Sequence, residues 1–269
     1  MKLLEKILVP LDFNSDYNKQ VEIAGNIASN FNSEVLLLYV LPPEAEVSSV
    51  KSILSEFLDK ELNTIGAIFK KKGISYRKLI RYGNVFDRIL AVAQDNDVNL
   101  ILACDGCPAE KGRYSISIVA EKLIRKSQKP VWLIKEGSRN IPKRILCPVD
   151  FSDASARALN NATKIARTFS AELFIINVFE PMQENFSNRL RIDYEKENSR
   201  LEKENKKQFD KFLTSFNLAG INHTIESTRG KPSDAIVEYA GTKKIDLLFM
   251  GATGKSALQR LLLGSVTEK

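Results

Sequence analysis

The sequence predicts an α/β protein made of two tandem domains, each an open parallel sheet with helices on both faces. Two observations lead to this prediction. An internal repeat runs through nearly all of the 269 residues. Within each repeat, short apolar runs alternate with longer stretches of helical periodicity, an order typical of parallel strands joined by crossover helices.

The repeat is clearest at its start, where residues 6–13 (KILVPLDF) recur as residues 144–151 (RILCPVDF), an offset of 138 residues. The offset holds through the second apolar run and then becomes 147, since Gly83 aligns with Gly230. The second copy therefore has nine additional residues, which we assign to its long central helix.

Each half is expected to run strand, helix, strand, long helix, strand, helix, strand. In the first half, the apolar runs and their flanking turn residues predict strands at residues 7–9, 36–38, 76–80, 100–103 and 131–134. The first two are almost continuously apolar, as expected for strands that are covered on both faces. Between them, apolar residues at helical spacing predict the buried face of a helix, formed by Val21, Ala24, Ile27, Ala28 and Phe31.

The second half is expected to repeat this order. Its long helix is predicted at residues 185–216, where charges of both signs through residues 195–207 indicate a solvated, ion-paired surface in preference to a partner-binding coil. Residues 137–142 are rich in turn-forming side chains and are predicted to be a linker. This places the first domain at residues 1–136 and the second at residues 143–269.

The amino-acid composition indicates the cellular location of the protein and the classes of partner it is expected to bind. Three cysteines in a chain of this length do not form a disulfide framework, which indicates a reducing compartment and a cytoplasmic location. The first apolar runs are broken by Glu5, Lys6 and Asp12, so the start of the chain is predicted to be a strand and not a signal peptide. No apolar run approaches the length of a membrane span. The formal net charge of +7 comes from scattered lysines without interleaved aromatic residues, so nucleic-acid binding is not expected.

Residues 247–267 contain the pattern with the clearest chemistry. A buried strand is followed by Gly251 and Gly254, and nine residues further on Gly264 precedes Ser265 at the start of a predicted helix. Glycines at the carboxyl end of a strand let backbone N–H groups approach a phosphate, and a helix N-terminus adds free donors and a positive dipole end. The spacing therefore predicts an anion-binding loop.

Three other interpretations of these glycines compete with the anion-binding loop. A P-loop would need a glycine at the position of Phe249, and a dinucleotide-binding fingerprint would need glycines two residues apart near the first strand, so both are excluded. The third alternative is that the glycines only terminate the strand and shape a turn. The long spacing and the hydroxyl groups of Ser265 and Thr267 favour the anion site.

On these residues, each half resembles a universal stress protein domain, and the whole chain resembles the tandem two-domain members of that family. The family's nucleotide-binding signature is Gly, two residues, Gly, nine residues, then Gly followed by Ser or Thr, and Gly251, Gly254, Gly264 and Ser265 match it. The resemblance implies two Rossmann-like domains of the adenine nucleotide alpha hydrolase type, each with a five-stranded parallel sheet. It also implies ATP binding in the second domain.

The resemblance implies roles for individual residues of the second domain. Asp150 would face the ribose, Val178 would offer backbone contacts to adenine, and Met250 would pack on the sugar. The expected nucleotide-binding residues are Pro148, Val149, Asp150, Val178, Met250, Gly251, Gly254, Gly264, Ser265, Val266 and Thr267. The expected cofactor is ATP, and the accompanying ion, magnesium or manganese, is left open, as is the choice between ATP and another adenine ligand such as AMP.

The position of Asp150 also has a physical interpretation of its own. In an open parallel sheet, ligands collect at the carboxyl ends of the strands where the strand order reverses, and Asp150 and Gly251 both follow such strands. A carboxylate there suits a sugar hydroxyl, or a divalent ion that bridges phosphates. The alternative is helix capping by Asp150 and Ser152, and the two roles are compatible.

The first half departs from the signature. Cys104, Cys107, Ser117 and Ile118 stand where the second half has the two loop glycines, the third glycine and the serine, so the first domain is expected to bind ATP weakly or not at all. The two cysteines form a C-x-x-C, which leaves three alternatives: half of a zinc site, a redox pair, or small replacements for glycine. Zinc would need further ligands, and the single histidine, His223, lies in the other half.

The leading functional hypothesis is an ATP-binding universal stress protein that acts as a non-catalytic, nucleotide-dependent regulator. One alternative is an enzyme that hydrolyses ATP slowly or phosphorylates itself, for which Lys255, Ser256 and Arg260 are the polar candidates near the loop. No general-base histidine or paired metal carboxylates accompany them, so no catalytic residue is assigned. The other alternative is a scaffold with vestigial sites.

The C-terminal end leads to an expectation about assembly. Lys269 aligns with Lys122, so residues 123–135 of the first half, which complete a helix and supply the fifth strand, have no counterpart in the second half. The second sheet is therefore expected to lack its last strand, as in a shortened form of a longer protein. An unpaired apolar edge at residues 131–134 favours association, as a homodimer or a domain–domain pseudo-dimer, and an unidentified protein partner is also expected.

Overall fold

The computed structural model describes residues 4–13, 17–46, 51–104, 118–135, 137–182 and 193–252. The chain divides into two compact units, Met1–Ile141 and Pro142–Lys269. Each is an α/β unit whose paired strands are all parallel. The predicted fold class is therefore confirmed.

The first domain contains a five-stranded sheet in the order β3-β2-β1-β4-β5. Its strands are β1 (Lys6–Leu11), β2 (Glu34–Leu41), β3 (Tyr76–Tyr82), β4 (Leu100–Cys104) and β5 (Val131–Ile134). Its helices are α1 (Asn18–Phe31), α2 (Lys51–Lys71), α3 (Val85–Asp95) and α4 (Ile118–Lys126). Each of the five strands predicted from apolar runs is present.

The second domain has four strands among the residues that the structure describes, in the order β8-β7-β6-β9. They are β6 (Arg144–Pro148), β7 (Glu172–Phe179), β8 (His223–Arg229) and β9 (Leu247–Leu248). Its described helices are α5 (Asp153–Phe169), α6 (Tyr194–Leu213) and α7 (Pro232–Thr242). The order matches that of β3, β2, β1 and β4, so the second sheet repeats the first without an equivalent of β5 in the described region.

The prediction for the long helix of the second domain is wrong in two respects. The helix begins at Tyr194, where the Asp193 side chain accepts a hydrogen bond from the backbone N–H of Lys196, and not at residue 185. It has 20 residues and is no longer than α2, which has 21. Part of the extra length follows the helix, because nine residues separate α6 from β8, against four between α2 and β3.

The repeat extends to unusual backbone conformations. Four pairs of aligned positions have positive φ in both domains: Asn32 and Ser170, Gly73 and Gly220, Gly83 and Gly230, Asp97 and Lys244. Most of these residues end helices, where a left-handed residue closes the last turn. Among the described residues with positive φ, only Gly137 in the linker and Phe151 have no such counterpart.

A polar side chain ties the first and fourth strands together at their amino ends in both domains. The Asn99 Oδ1 accepts hydrogen bonds from the backbone N–H groups of Glu5 and Lys6, at 2.8 and 2.9 Å. The Asp246 Oδ2 does the same for Lys143 and Arg144, also at 2.8 and 2.9 Å. Asn99 and Asp246 are aligned by the repeat, so the two domains share this device.

The helices cover both faces of each sheet. The right-handed rule for parallel crossovers places α1 and α2 on one face and α3 and α4 on the other, with α5 and α6 opposite α7 in the second domain. The cores agree with this arrangement: Leu8 and Leu36 pack with Ile89 of α3, and Ile176 packs with Ile236 of α7. None of the described helices is long and apolar enough to cross a membrane.

Candidate functional site

The candidate site lies where the strand order of the second sheet reverses. From β6 the chain proceeds outward through β7 and β8, and then returns to place β9 on the other side of β6. Leu146 pairs with Leu248, and the Phe249 N–H donates to the Leu146 carbonyl at 2.8 Å. The carboxyl ends of β6 and β9 therefore frame a crevice, which is where open α/β sheets bind ligands.

Gly251 forms one wall of this crevice by close contact with helix α5. A Cβ atom on Gly251 would lie 2.8 Å from the Cβ of Ala154, 2.9 Å from its carbonyl carbon and 3.0 Å from the Ser155 nitrogen. Only glycine allows the chain after β9 to touch the first turn of this helix without displacement. The contact brings this segment to the helix end where N–H groups and the positive end of the dipole are found.

Asp150 forms the other wall and supports the start of the same helix. Its Oδ1 accepts hydrogen bonds from the Ser152 N–H at 3.0 Å and from the Ser152 hydroxyl. Ser152 is the N-cap of α5, because its Oγ accepts from the Ser155 N–H at 3.1 Å. The capping alternative thus holds for Ser152, while Asp150 positions the cap from a half-buried place beside the crevice.

The backbone between Asp150 and Ser152 is strained. Phe151 has a φ of 65°, a left-handed conformation that is uncommon for a bulky residue. Its ring packs against Phe209 and Phe212 of α6, with centroids 6.1 and 5.6 Å apart. Strain of this kind persists where surrounding packing enforces it, and it is often found at ligand sites.

The floor of the site is the end of strand β7. The Val149 N–H donates to the Ile176 carbonyl at 2.8 Å, and the Asn177 side-chain amide donates back to the Val149 carbonyl at 2.9 Å. Val178 packs its side chain into the cluster that faces α7, which leaves Asn177 on the opposite face. The ends of β6 and β7 are therefore held together by a side chain as well as by the sheet.

The same crevice in the first domain is bridged by a side chain from α1. Gln20 is buried, and its Nε2 donates to the Pro10 carbonyl at 2.8 Å and to the Leu102 carbonyl at 2.6 Å. These carbonyls lie at the ends of β1 and β4. The counterpart of Gln20 in the second domain is Ala158, whose methyl group cannot form such a bridge.

Aromatic rings occupy the space beside this bridge. Phe13 stacks on Tyr39 with ring centroids 4.8 Å apart, and Tyr17 meets Phe13 edge-on at 5.1 Å. Burial, with a smaller contribution from the charge of Asp12, raises the pKa of Tyr39. Cys104 ends β4 at the position of Gly251, so a side chain stands where the second domain has none. The first-domain crevice is filled by its own side chains.

Comparison with known proteins agrees with the repeat and the fold. The sequence model of the universal stress protein family matches residues 4–135 and, separately, residues 142–269. The chain belongs to the universal stress protein family. It consists of two universal stress protein domains in tandem, each matched independently.

Individual universal stress proteins are similar to about half of this chain. A universal stress protein of Methanocaldococcus jannaschii is 35% identical over 137 residues, which are 51% of this chain and 79% of the relative. The universal stress protein YxiE of Bacillus subtilis is 30% identical over 132 residues, 47% of this chain and 89% of the relative. The crystal structure of a universal stress protein from Archaeoglobus fulgidus covers 98% of this chain and 92% of its own with a TM-score of 0.69. At 19% identity, that likeness supports the fold alone.

The residues expected to bind nucleotide divide into two groups. Six of them lie together at the carboxyl edge of the second sheet: Pro148, Val149, Asp150, Val178, Met250 and Gly251. The other five lie outside the described residues: Gly254, Gly264, Ser265, Val266 and Thr267. Their assignment stays a prediction, as does that of Lys255, Ser256 and Arg260, which lie in the same region.

Sequence reasoning did not consider two buried side chains at the strand ends. They are Gln20, in the crevice of the first domain, and Asn177, in that of the second. The repeat contained a signal for one of them, because Asn177 aligns with Tyr39 within an otherwise apolar strand.

The described residues contain no candidate metal site and no reactive cysteine pair. No group of three His, Cys, Asp or Glu side chains suited to a metal ion occurs among them. Cys107 and Ser117 lie outside the described residues, so the C-x-x-C alternatives stay open. Cys147 is fully buried in β6, and burial raises the pKa of its thiol, which is typical of an unreactive structural cysteine.

Proposed function

We propose that the second domain binds ATP in the crevice between β6 and β9, and that the protein is a cytoplasmic, non-catalytic regulator in the stress response. The observation that carries the proposal is the contact of Gly251 with the first turn of α5, where any side chain would collide with Ala154. This contact holds the chain after β9 against a helix N-terminus, where free backbone N–H groups suit a phosphate.

The residues present fit an adenine nucleotide laid across the strand ends. Gly251 would approach the phosphates, joined by the predicted loop residues Gly254, Gly264 and Ser265. Asp150 would accept a hydrogen bond from a ribose hydroxyl, since its carboxylate already receives hydrogen bonds at this edge. The ATP would supply a triphosphate whose oxygens carry any magnesium or manganese ion.

The remaining predicted residues would hold the nucleoside. Pro148 is the last residue of β6 and Val149 follows it, Val178 is the last residue but one of β7, and Met250 follows β9, where it would lie on the sugar side. In this arrangement the protein binds and orients the nucleotide, and no described residue is assigned a catalytic role. Regulation would follow from nucleotide occupancy, because a bound nucleotide adds charge and contacts at the carboxyl edge of the sheet.

The test is to incubate the purified protein with ATP and to follow bound nucleotide and released phosphate separately. We expect one ATP per chain, retained without phosphate release. Steady release would favour the slow enzyme, and absence of binding would favour the scaffold. Identification by mass of any nucleotide that copurifies with the protein would distinguish ATP from AMP.

A further inference from the structure

Helix α6 is attached to its domain by fewer apolar contacts than α2, the helix at the same place in the first domain. Four large apolar side chains of α2 are buried: Leu58, Leu62, Ile65 and Phe69. In α6, which the structure describes from end to end, Phe209 is the one buried apolar side chain. Because apolar burial is the main contribution that holds a helix against a sheet, α6 is expected to open locally more often than α2.

The polar side chains on the inner face of α6 add little to this attachment. Asn198 and Asn205 lie seven residues apart, on the face that carries Phe209. The Asn198 Oδ1 accepts a hydrogen bond from the Met182 N–H at 2.9 Å. The Asn198 Nδ2 and the Asn205 Oδ1 are buried without a hydrogen-bond partner among the described residues, which disfavours the arrangement that buries them. The docked position of α6 therefore depends strongly on its aromatic contacts.

Phe151 provides these contacts from the wall of the crevice. Its ring centroid lies 6.1 Å from that of Phe209 and 5.6 Å from that of Phe212. Phe212 in turn meets Phe216 at 5.0 Å, so a row of rings runs beneath the last turns of α6. A residue next to the candidate ligand site thus contacts the one apolar side chain that α6 buries.

The aligned phenylalanine of the first domain has different surroundings. Phe13 stands in place of Phe151 and stacks on Tyr39 of β2, with ring centroids 4.8 Å apart. It meets Phe57 of α2 edge-on at 6.4 Å, and Phe57 is half exposed. In the first domain this residue packs chiefly on the sheet, and α2 is held by its own buried side chains.

The turn that presents Phe151 is also the turn that a ligand of Asp150 would contact. Phe151 has a φ of 65°, and the Asp150 Oδ1 accepts from the Ser152 N–H across the turn at 3.0 Å. A left-handed conformation is unfavourable for a bulky residue and persists while its surroundings enforce it. Relaxation of the turn would move the ring relative to α6. A ligand that binds the carboxylate in its present orientation opposes that relaxation.

We propose that Phe151 couples nucleotide occupancy to helix α6: a nucleotide beside Asp150 fixes the turn, and the Phe151 ring then holds α6 against the sheet. The inference rests on the proposed binding of ATP and adds the element that responds to occupancy. The outer surface of α6 is ion-paired, with Arg200 contacting Glu197 at 2.6 Å and Glu204 at 3.1 Å. Docking and release of α6 change the position of this surface, which a regulatory partner would recognise.

The experiment is backbone hydrogen exchange of the full chain, followed by mass spectrometry with and without saturating ATP. In the wild type, ATP is expected to slow exchange in α6 by about fivefold or more relative to α7, as for other couplings between sites. Helix α7, on the opposite face of the same sheet, is the internal reference. Ligand binding that stabilises the whole domain slows exchange in both helices alike.

The decisive variant is Phe151→Gly, which removes the ring and permits the left-handed turn without strain. Helix α6 should exchange about tenfold faster without ATP, and ATP should no longer slow it relative to α7. The variant should still bind ATP. Because coupling is reciprocal, its affinity should fall by no more than the factor by which ATP protects α6 in the wild type.

Two further variants separate the coupling from a general loss of stability. Phe212→Leu removes a ring from the helix side and leaves the turn unchanged, so it should reduce the protection of α6 while ATP still binds. Phe13→Gly makes the matched change in the first domain and should leave exchange in α6 as it is in the wild type, with and without ATP.

Three results would overturn the inference, and they can be told apart. If the wild type binds ATP but exchange in α6 relative to α7 does not change, occupancy does not reach the helix, while the proposed function stands. If Phe151→Gly binds ATP and α6 is protected as in the wild type, the coupling does not pass through Phe151. If the wild type does not bind ATP, the proposed function fails and the coupling fails with it.

Discussion

The four described strands of the second domain have the same order as their counterparts in the first, yet the crevices of the two domains are built in opposite ways. In the first, Gln20 bridges the ends of β1 and β4, and Phe13 stacks on Tyr39. In the second, Ala158 and Asn177 replace Gln20 and Tyr39, and Gly251 touches the first turn of α5. The comparison shows that one backbone accommodates either a bridged crevice or an unbridged one, according to a few side chains at the strand ends, and we propose that only the unbridged one binds a ligand.

The largest effect on ATP binding is expected from a side chain introduced at Gly251, which contacts the first turn of α5. Gly251→Val should abolish most ATP binding and destabilise the second domain by about 1–3 kcal/mol, because the new side chain overpacks the first turn of α5. Calorimetry and urea unfolding measure the two effects. The matched change in the first domain, Cys104→Val, should alter ATP binding little, and an equal loss of affinity from both variants would contradict the contrast between the domains.

Removal of the carboxylate beside the crevice should have the next largest effect. Asp150→Ala is expected to weaken ATP binding by about 1–3 kcal/mol, the cost of leaving a buried polar group unpaired. Helix α5 should persist because Ser152 still caps it. The control is Asp12→Ala at the aligned position, which should not change ATP affinity. Unchanged affinity in Asp150→Ala with a lower melting temperature would mean that Asp150 only positions the cap.

Exchange of the bridging residue tests the closed crevice. Gln20→Ala should destabilise the first domain by about 1–3 kcal/mol, since two strand-end carbonyls lose their donor. Glu22→Ala, on the exposed side of the same helix, is the control in urea unfolding. The reciprocal Ala158→Gln should weaken ATP binding by closing the second crevice. If Gln20→Ala is no less stable than Glu22→Ala, the bridge does not hold the strands.

The smallest effect is expected at the surface ion pair between Lys129 and Asp97 of the first domain. Lys129 donates to Asp97 and lowers the pKa of that carboxyl, while Lys244 stands at the aligned position in the second domain. Because the folded-state pKa is lowered, the pair stabilises the protein above the ordinary range of aspartate and loses this effect as the pH falls. Lys129→Met should raise the pKa of Asp97 in an NMR titration and leave the melting temperature nearly unchanged. If the pKa of Asp97 is the same in Lys129→Met as in the wild type, Lys129 is not the cause of its lowering.

Most of the fold could be predicted because its determinants are local or repeated. Apolar runs predicted residues 131–134 as a strand with the bounds that β5 has. The start of α6 was wrong because its charged sequence has no apolar boundary there, and the signal was the cap at Asp193. The candidate site depends on contacts between distant residues, such as Gln20 with Leu102, which no local pattern contains. The contact of Gly251 with the first turn of α5 likewise joins residues that are distant in the sequence.

The ties made by Asn99 and Asp246 have a consequence for how the chain folds during synthesis. Asn99 joins backbone groups more than 90 residues earlier, and Asp246 joins groups more than 100 residues earlier. The first strand of each domain therefore cannot pair with the fourth strand until nearly the whole domain has left the ribosome. Loops of this length also close slowly. The first domain can finish before the fourth strand of the second is made. Each nascent domain therefore passes through a period in which its central strand is unpaired on one side, when it is most open to aggregation.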